Sequence, residues 1–137
     1  MLLQASAVAI AGRALLITGK PGSGKSSLAL ALIDRGASLI GDDGVSLSLR
    51  EDGSLLASPP PNIAGMLELR GVGIVTLETA EAPVALLLDL DASPERLPES
   101  IATREFLGQA VPAIAFDGGS AHAALRAEWA LRLHGAA

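Results

Sequence analysis

The chain has 137 residues, half of them hydrophobic but only 2% aromatic, with no cysteine and a formal charge of −5. That length allows one core, so residues 1–137 are expected to form a single domain. The absent cysteines exclude a disulfide framework, thiolate metal sites and a cysteine nucleophile, and they fit a cytoplasmic setting. Ten scattered basic residues leave no electrostatic footprint for nucleic acid or an anionic membrane.

The opening stretch "MLLQASAVAIAG" lacks the basic leading region of a signal peptide. No apolar run approaches the roughly 20 residues that span a bilayer. The longest, "PVALLLDL", is broken by Asp89, so no membrane segment is expected.

In chain order, residues 3–10 and 14–18 are apolar runs joined at "AGR" and read as a hairpin. The second run ends at Gly19, where a glycine-rich loop begins. Beyond it Leu28, Ala29, Leu32 and Ile33 recur at helical spacing, and Gly36 falls where a C-terminal cap belongs. "SLIG" at 38–41 reads as a strand delivering Asp42 and Asp43, and "VSLSL" and "SLLAS" around "REDG" read as a hairpin ended by three prolines at 59–61. "MLELR" and "GIVTLE" flank "GVG" as two more strands. "VALLLDL" is a buried strand, "IAF" another, and "AHAALRAEWALRL" a closing amphipathic helix. With so few rings the core must be Leu, Ala, Val and Ile in compact α/β layers, with Phe106 and Phe116 inside and Trp129 as the core anchor of the last helix.

The loop Gly19-Lys20-Pro21-Gly22-Ser23-Gly24-Lys25-Ser26 fits G-x-x-x-x-G-K-[ST], with a strand before and a helix after as the motif requires. Glycines let backbone N–H groups turn inward around a phosphate, and the helix N-terminus adds partial positive charge. Lys25 then reaches the β and γ phosphates of a nucleotide, Ser26 ligates Mg²⁺, and Ser27 completes the first turn. Both lysines of the chain, Lys20 and Lys25, lie in this loop.

Asp42 and Asp43 sit at the carboxyl end of the following strand, where open α/β sheets place ligand-facing groups. Adjacent strand residues point to opposite faces, so one faces the phosphates and the other orients it or holds metal, unless the chain turns there. Either can take the proton of an attacking hydroxyl. Glu68 and Arg70 share one face of "MLELR", a face for metal and phosphate or for an ion pair. His122 and His134, twelve residues apart, cannot form a local ligand pair and read as surface or capping residues.

"GKPGSGKSSLALALIDRGASLIGDD" and "LELRGVGIVTL" together resemble the HPr kinase/phosphorylase family. "ERLPE", "FLGQAVP" and "ALRAEWALRL" follow in that family's order, so the resemblance covers nearly the whole chain but only the family's catalytic domain, a short form. It implies a P-loop kinase core like the nucleotide-binding fold of phosphoenolpyruvate carboxykinase, a mixed sheet with flanking helices. It also implies an ATP- and Mg²⁺-dependent protein-serine kinase acting on HPr or an HPr-like phosphocarrier, and it leaves the oligomeric state open, a homo-oligomer included. By position, Lys25 matches the phosphate-contacting lysine, Ser26 and Glu68 the Mg²⁺ ligands, and Arg96 a family arginine; Asp43 is taken as the general base with Asp42 beside it, and the sequence alone does not separate the two.

Two departures stand out. Gln4 occupies the place of a family histidine, and "AFDGGSAH" replaces a basic loop tied to the reverse, phosphorylase direction. The absence of arginine from this stretch argues against the reverse reaction. Two other readings of the loop are a small-metabolite kinase, which needs an arginine-bearing lid not visible here, and a nucleotide-binding regulatory module without turnover, to which Gln4 points.

Overall fold

The computed structural model describes residues 1–62, 64–98 and 100–136. The first apolar runs form β1 (Leu2–Leu3), β2 (Ser6–Ile10) and β3 (Arg13–Thr18). Ala11 and Gly12, at φ 51° and 81°, make the two-residue turn whose left-handed backbone matches the twist of the β2–β3 hairpin. Helix α1 (Lys25–Asp34) follows the glycine-rich loop. Its end is a Schellman motif: Gly36 stands at φ 112°, its N–H donates to the Ile33 carbonyl, and the Ala37 N–H donates to the Leu32 carbonyl.

Strands β4 (Ser38–Gly41), β5 (Val45–Leu49) and β6 (Leu55–Ser58) come next. In the β5–β6 turn Asp52 accepts the Ser54 N–H and hydroxyl, which hold its carboxyl below the usual range. A separate two-stranded ribbon pairs β7 (Met66–Leu69) with β8 (Gly73–Thr76). Then come β9 (Ala82–Asp89), β10 (Ala102–Phe106), β11 (Gln109–Ala115) and helix α2 (Ala123–His134).

Strand β9 is the hub of a mixed, curled sheet. One edge pairs parallel with β3. The other pairs antiparallel with β6 at Ala82–Pro83 and parallel with β11 at 87–89. The full path runs β1-β5-β6-β9-β3-β2-β4, with the β10–β11 hairpin attached through β11. A strand covered on both faces reads as a continuous apolar run, and "ALLL" at 85–88 does so. Leu86 and Leu88 join the cluster under the two helices with Leu15, Ile17, Leu28 and Ala127. Leu87 joins the opposite cluster with Leu16, Leu47, Phe106 and Val111.

The expected mixed sheet with flanking helices is the observed architecture, with two corrections. Trp129 is not a core anchor: it is 49% exposed, with the Arg132 guanidinium 4.4 Å above its ring. Small residues let α2 lie close on the sheet, so its buried stripe is Ala123, Ala124, Ala127, Ala130 and Leu131, and Trp129 falls outside it. Strand β10 was not expected at all, because "ATREF" is polar and four of its five residues are exposed along a sheet edge. Its turn, Leu107 at φ 50° and Gly108 at φ 82°, was the legible signal. The same hairpin extends β11 back to Gln109, well before the expected "IAF", past Pro112, which pairs with Thr103.

Among the described residues no helix is long and apolar enough to cross a membrane. Replacing the fully buried Leu87 by alanine is expected to lower unfolding free energy by about 2–5 kcal/mol. Trp129→Ala should cost about 1 kcal/mol or less. Urea denaturation of the two variants checks the difference.

Candidate functional site

The glycine-rich loop runs from the end of β3 to the first residue of α1. Gly22 and Gly24 stand at φ 85° and 101°, a region L side chains rarely enter. Gly19 is required for space, since a Cβ there would strike the Ser23 side chain and lie 3.2 Å from the Leu90 Cβ. Gly24 is also the N-cap of α1. It offers no side-chain cap, and the first turn holds no acidic residue. The turn therefore lacks the usual side-chain acceptors, and an anion is the natural complement.

Lys25 is only 8% exposed. Its Nζ donates to the carbonyls of Gly19 at 2.6 Å and Lys20 at 3.3 Å. Neither of the two ion pairs among the described residues includes it. A buried ammonium held by carbonyls alone lacks the opposite charge that burial calls for. The Ser23 hydroxyl oxygen, within the same loop, is buried with no hydrogen-bond partner. Lys20, Pro21 and Gly22 form the exposed tip, and Ser27 is exposed on α1.

Asp42 and Asp43 lie where the chain leaves β4. Asp42 Oδ1 accepts the Ser26 hydroxyl at 2.7 Å and the Ser6 hydroxyl at 3.0 Å. The turn resolves the expected opposition of neighbouring side chains, because Asp43, at φ 57°, leaves the extended backbone on which that alternation depends. Asp42 is half-buried and Asp43 exposed. The turn is tight: a Cβ on Gly41 would strike the Gly44 carbonyl and sit 3.3 Å from Pro60. The buried middle proline of "PPP" thus backs the aspartate turn.

Among the remaining expected residues, Glu68 is exposed on β7 and Arg96 is exposed between β9 and β10. Among the described residues no three His, Cys, Asp or Glu side chains converge as a metal cluster. Gln4 is exposed between β1 and β2, His122 is at the N-cap of α2 and His134 is its last residue. The Ser26 hydroxyl beside the Asp42 carboxylate is a pair of hard oxygen donors, the kind Mg²⁺ takes.

Four residues that the sequence reading passed over complete the surroundings. Ser6 is fully buried against Asp42. Asp91 accepts the Lys20 N–H with both carboxylate oxygens, at 3.0 and 3.1 Å. Asp89 accepts the Asp91 N–H at 2.9 Å and pairs with Arg104 at 3.2 Å. Asp89 and Arg104 also line a pocket of about 290 Å³. The only sequence signal was two carboxylates spaced by one residue at the end of a buried strand, "DLD". On the far side of the loop the Asp117–Gly119 turn approaches, with the Gly118 carbonyl 3.9 Å from the Cβ position of Gly24.

Residues 2–81 match the family model of the HPr Serine kinase C-terminal domain, a span of more than half the chain. The HPr kinase/phosphorylase of Clostridium botulinum (strain Eklund 17B / Type B) is 50% identical over 68 residues, covering 50% of this chain and 22% of that protein. That of Geobacillus thermodenitrificans is 39% identical over 98 residues, covering 65% of this chain and 32% of that protein. The matched segments thus span about a third or less of these curated relatives. The solved structure of the Hpr(Ser) kinase/phosphatase from Coxiella burnetii superposes with a TM-score of 0.78 at 30% identity, covering 96% of this chain and 89% of that one.

Ser23→Ala removes a buried hydroxyl with no partner, so the ligand-free protein should keep its stability or gain up to about 1 kcal/mol. Thermal unfolding measures this, and a loss of that size would reveal a partner for the hydroxyl.

Proposed function

Since the chain belongs to the HPr Serine kinase C-terminal domain family, we propose that it is an ATP- and Mg²⁺-dependent protein-serine kinase whose acceptor is HPr or an HPr-like phosphocarrier. Residues 1–137 act in this reading as one catalytic domain with a P-loop core of the phosphoenolpyruvate carboxykinase-like kind. The observation that carries the reading is the buried Lys25 ammonium, held by loop carbonyls at the mouth of an uncapped helix with Ser26 and Asp42 beside it.

The loop from Gly19 to Ser27 cradles the phosphates through backbone N–H groups, and Lys25 holds the oxygens on which negative charge collects during transfer. Mg²⁺ would supply charge neutralisation for the transferring phosphates, and Ser26 and Asp42, with Glu68 from β7, would hold it. Asp42 already accepts two hydroxyl hydrogen bonds at Oδ1, which suits it to holding metal and the loop. Asp43 is exposed where an incoming side chain can reach it. It takes the proton of the acceptor serine as that oxygen bonds to the γ-phosphorus and the bond to the leaving ADP oxygen breaks. Arg96 is assigned to the same site from the neighbouring loop.

The forward direction is favoured by the turn beside the loop. It carries the Asp117 carboxylate, which accepts the Gly119 N–H at 3.0 Å, where an attacking inorganic phosphate would need positive charge. The net charge of −5 supports a protein rather than a nucleic-acid acceptor. Cytoplasmic location and homo-oligomeric assembly complete the reading.

Label from γ-labelled ATP with Mg²⁺ is expected on HPr and absent from HPr whose acceptor serine is alanine. Lys25→Ala and Asp43→Asn should each cut transfer by about 10²-fold or more. Asp43→Asn should leave nucleotide binding intact; full activity in that variant would move the base role to Asp42. Bound ATP with no label on HPr would favour a nucleotide-responsive module, and ATP consumption with small alcohols a metabolite kinase.

A further inference from the structure

The backbone of Lys20 is the most heavily bonded point of the loop. Its carbonyl accepts the Ser23 N–H at 3.0 Å and the Lys25 ammonium at 3.3 Å. Its N–H is gripped by both oxygens of Asp91. The Gly19–Lys20 peptide plane carries both the N–H bound by Asp91 and the Gly19 carbonyl that accepts the Lys25 ammonium at 2.6 Å, so its orientation decides where Lys25 rests. Asp91 is itself held, since its own N–H donates to Asp89, which pairs with Arg104 of β10. The preceding Leu90 is bonded through its N–H to the Thr18 carbonyl, and its side chain packs between Gly19 and Gly118. The segment Leu90–Asp91 is thus a wall built against the loop from the end of β9.

A carboxylate in this position is costly if the loop takes polyphosphate, because it repels the ligand. It also spends acceptor capacity on an N–H at the exposed tip, where water could serve. We infer that Asp91 is a positioning residue for the phosphate loop: by gripping the Lys20 N–H with two oxygens it fixes the Gly19–Lys20 peptide, and so aims the Gly19 carbonyl that holds Lys25 ready for the nucleotide. The inference rests on the nucleotide-binding reading above. Asp89 and Arg104 extend the clamp to the β10–β11 hairpin, so the loop is braced by the sheet rather than by its own turns alone.

The role depends on acceptor geometry rather than on charge, and three variants of the full chain separate the two. Asp91→Ala removes the acceptor, Asp91→Asn keeps an acceptor without the charge, and Asp91→Glu keeps the charge one methylene out of place. Each is titrated, with Mg²⁺ present, with a fluorescent ATP analogue, and thermal unfolding checks that each is folded. Losing a charge-assisted hydrogen bond corresponds to a weakening of about tenfold or more, and that is expected for Ala and Glu. Asn should stay within about threefold of the parent, or bind more tightly as the repulsion is removed. If the parent binds and Asp91→Ala binds equally well, the positioning role is overturned while the nucleotide site stands. Equal weakening in Asn and Ala also overturns it, in favour of a role for the charge. If the parent itself does not bind, the nucleotide reading fails and the positioning role falls with it. Should Asp91→Ala not fold, the contrast between Asn and Glu decides the question alone.

Discussion

Every backbone group of a buried strand needs a partner on its edges, and in this protein the strand that meets the requirement hardest is β9. It is flanked by β3 on one side and shared between β6 and β11 on the other. The parallel β3–β9 pairing sets Thr18 beside Asp89. The glycine-rich loop and the "DLD" segment therefore leave the sheet at the same place, and the Leu90–Asp91 wall follows from that register.

A second constraint is steric. Gly19 and Gly41 both sit where a Cβ would collide, one with Ser23 across the loop and the other with the Gly44 carbonyl across the aspartate turn. These two close approaches bring the start of α1 and the end of β4 within one hydrogen bond, from the Ser26 hydroxyl to Asp42. Buried Ser6, from the neighbouring β2, adds a second donor. Helix α1 is steadied at its far end by the Arg35–Glu128 pair to α2, although at 2.8 Å and half-exposed that bond adds little stability. What fixes the helix is the apolar layer of Leu28, Ala29 and Leu32 on β3 and β9.

Much of this was legible in the chain. Tight hairpin turns, the apolar period of α1, the glycine cap at Gly36 and the uninterrupted "ALLL" of β9 are local patterns, and local patterns depend on backbone sterics that the residue type already encodes. The family was legible for a similar reason, because its motifs are short and contiguous. Where the reading failed, the deciding interaction was distant. Trp129 looked like a core anchor because large rings are usually buried, yet the close approach of α2 to the sheet selects its alanines instead. Strand β10 carries no apolar alternation, and only pairing with β11 makes it a strand.

By itself the sequence determined the order of the elements other than β10, the loop that needs glycine at positive φ, and the family. It could not say which of two adjacent aspartates meets Ser26, because that depends on a single residue, Asp43, entering the left-handed region as the chain leaves β4. Nor could it bring Asp91 to Lys20, 71 residues away in the chain. The first contact needs β4 laid beside β2 and the second needs β3 and β9 in parallel register, and such pairing between distant segments is set by the whole sheet and not by either segment alone.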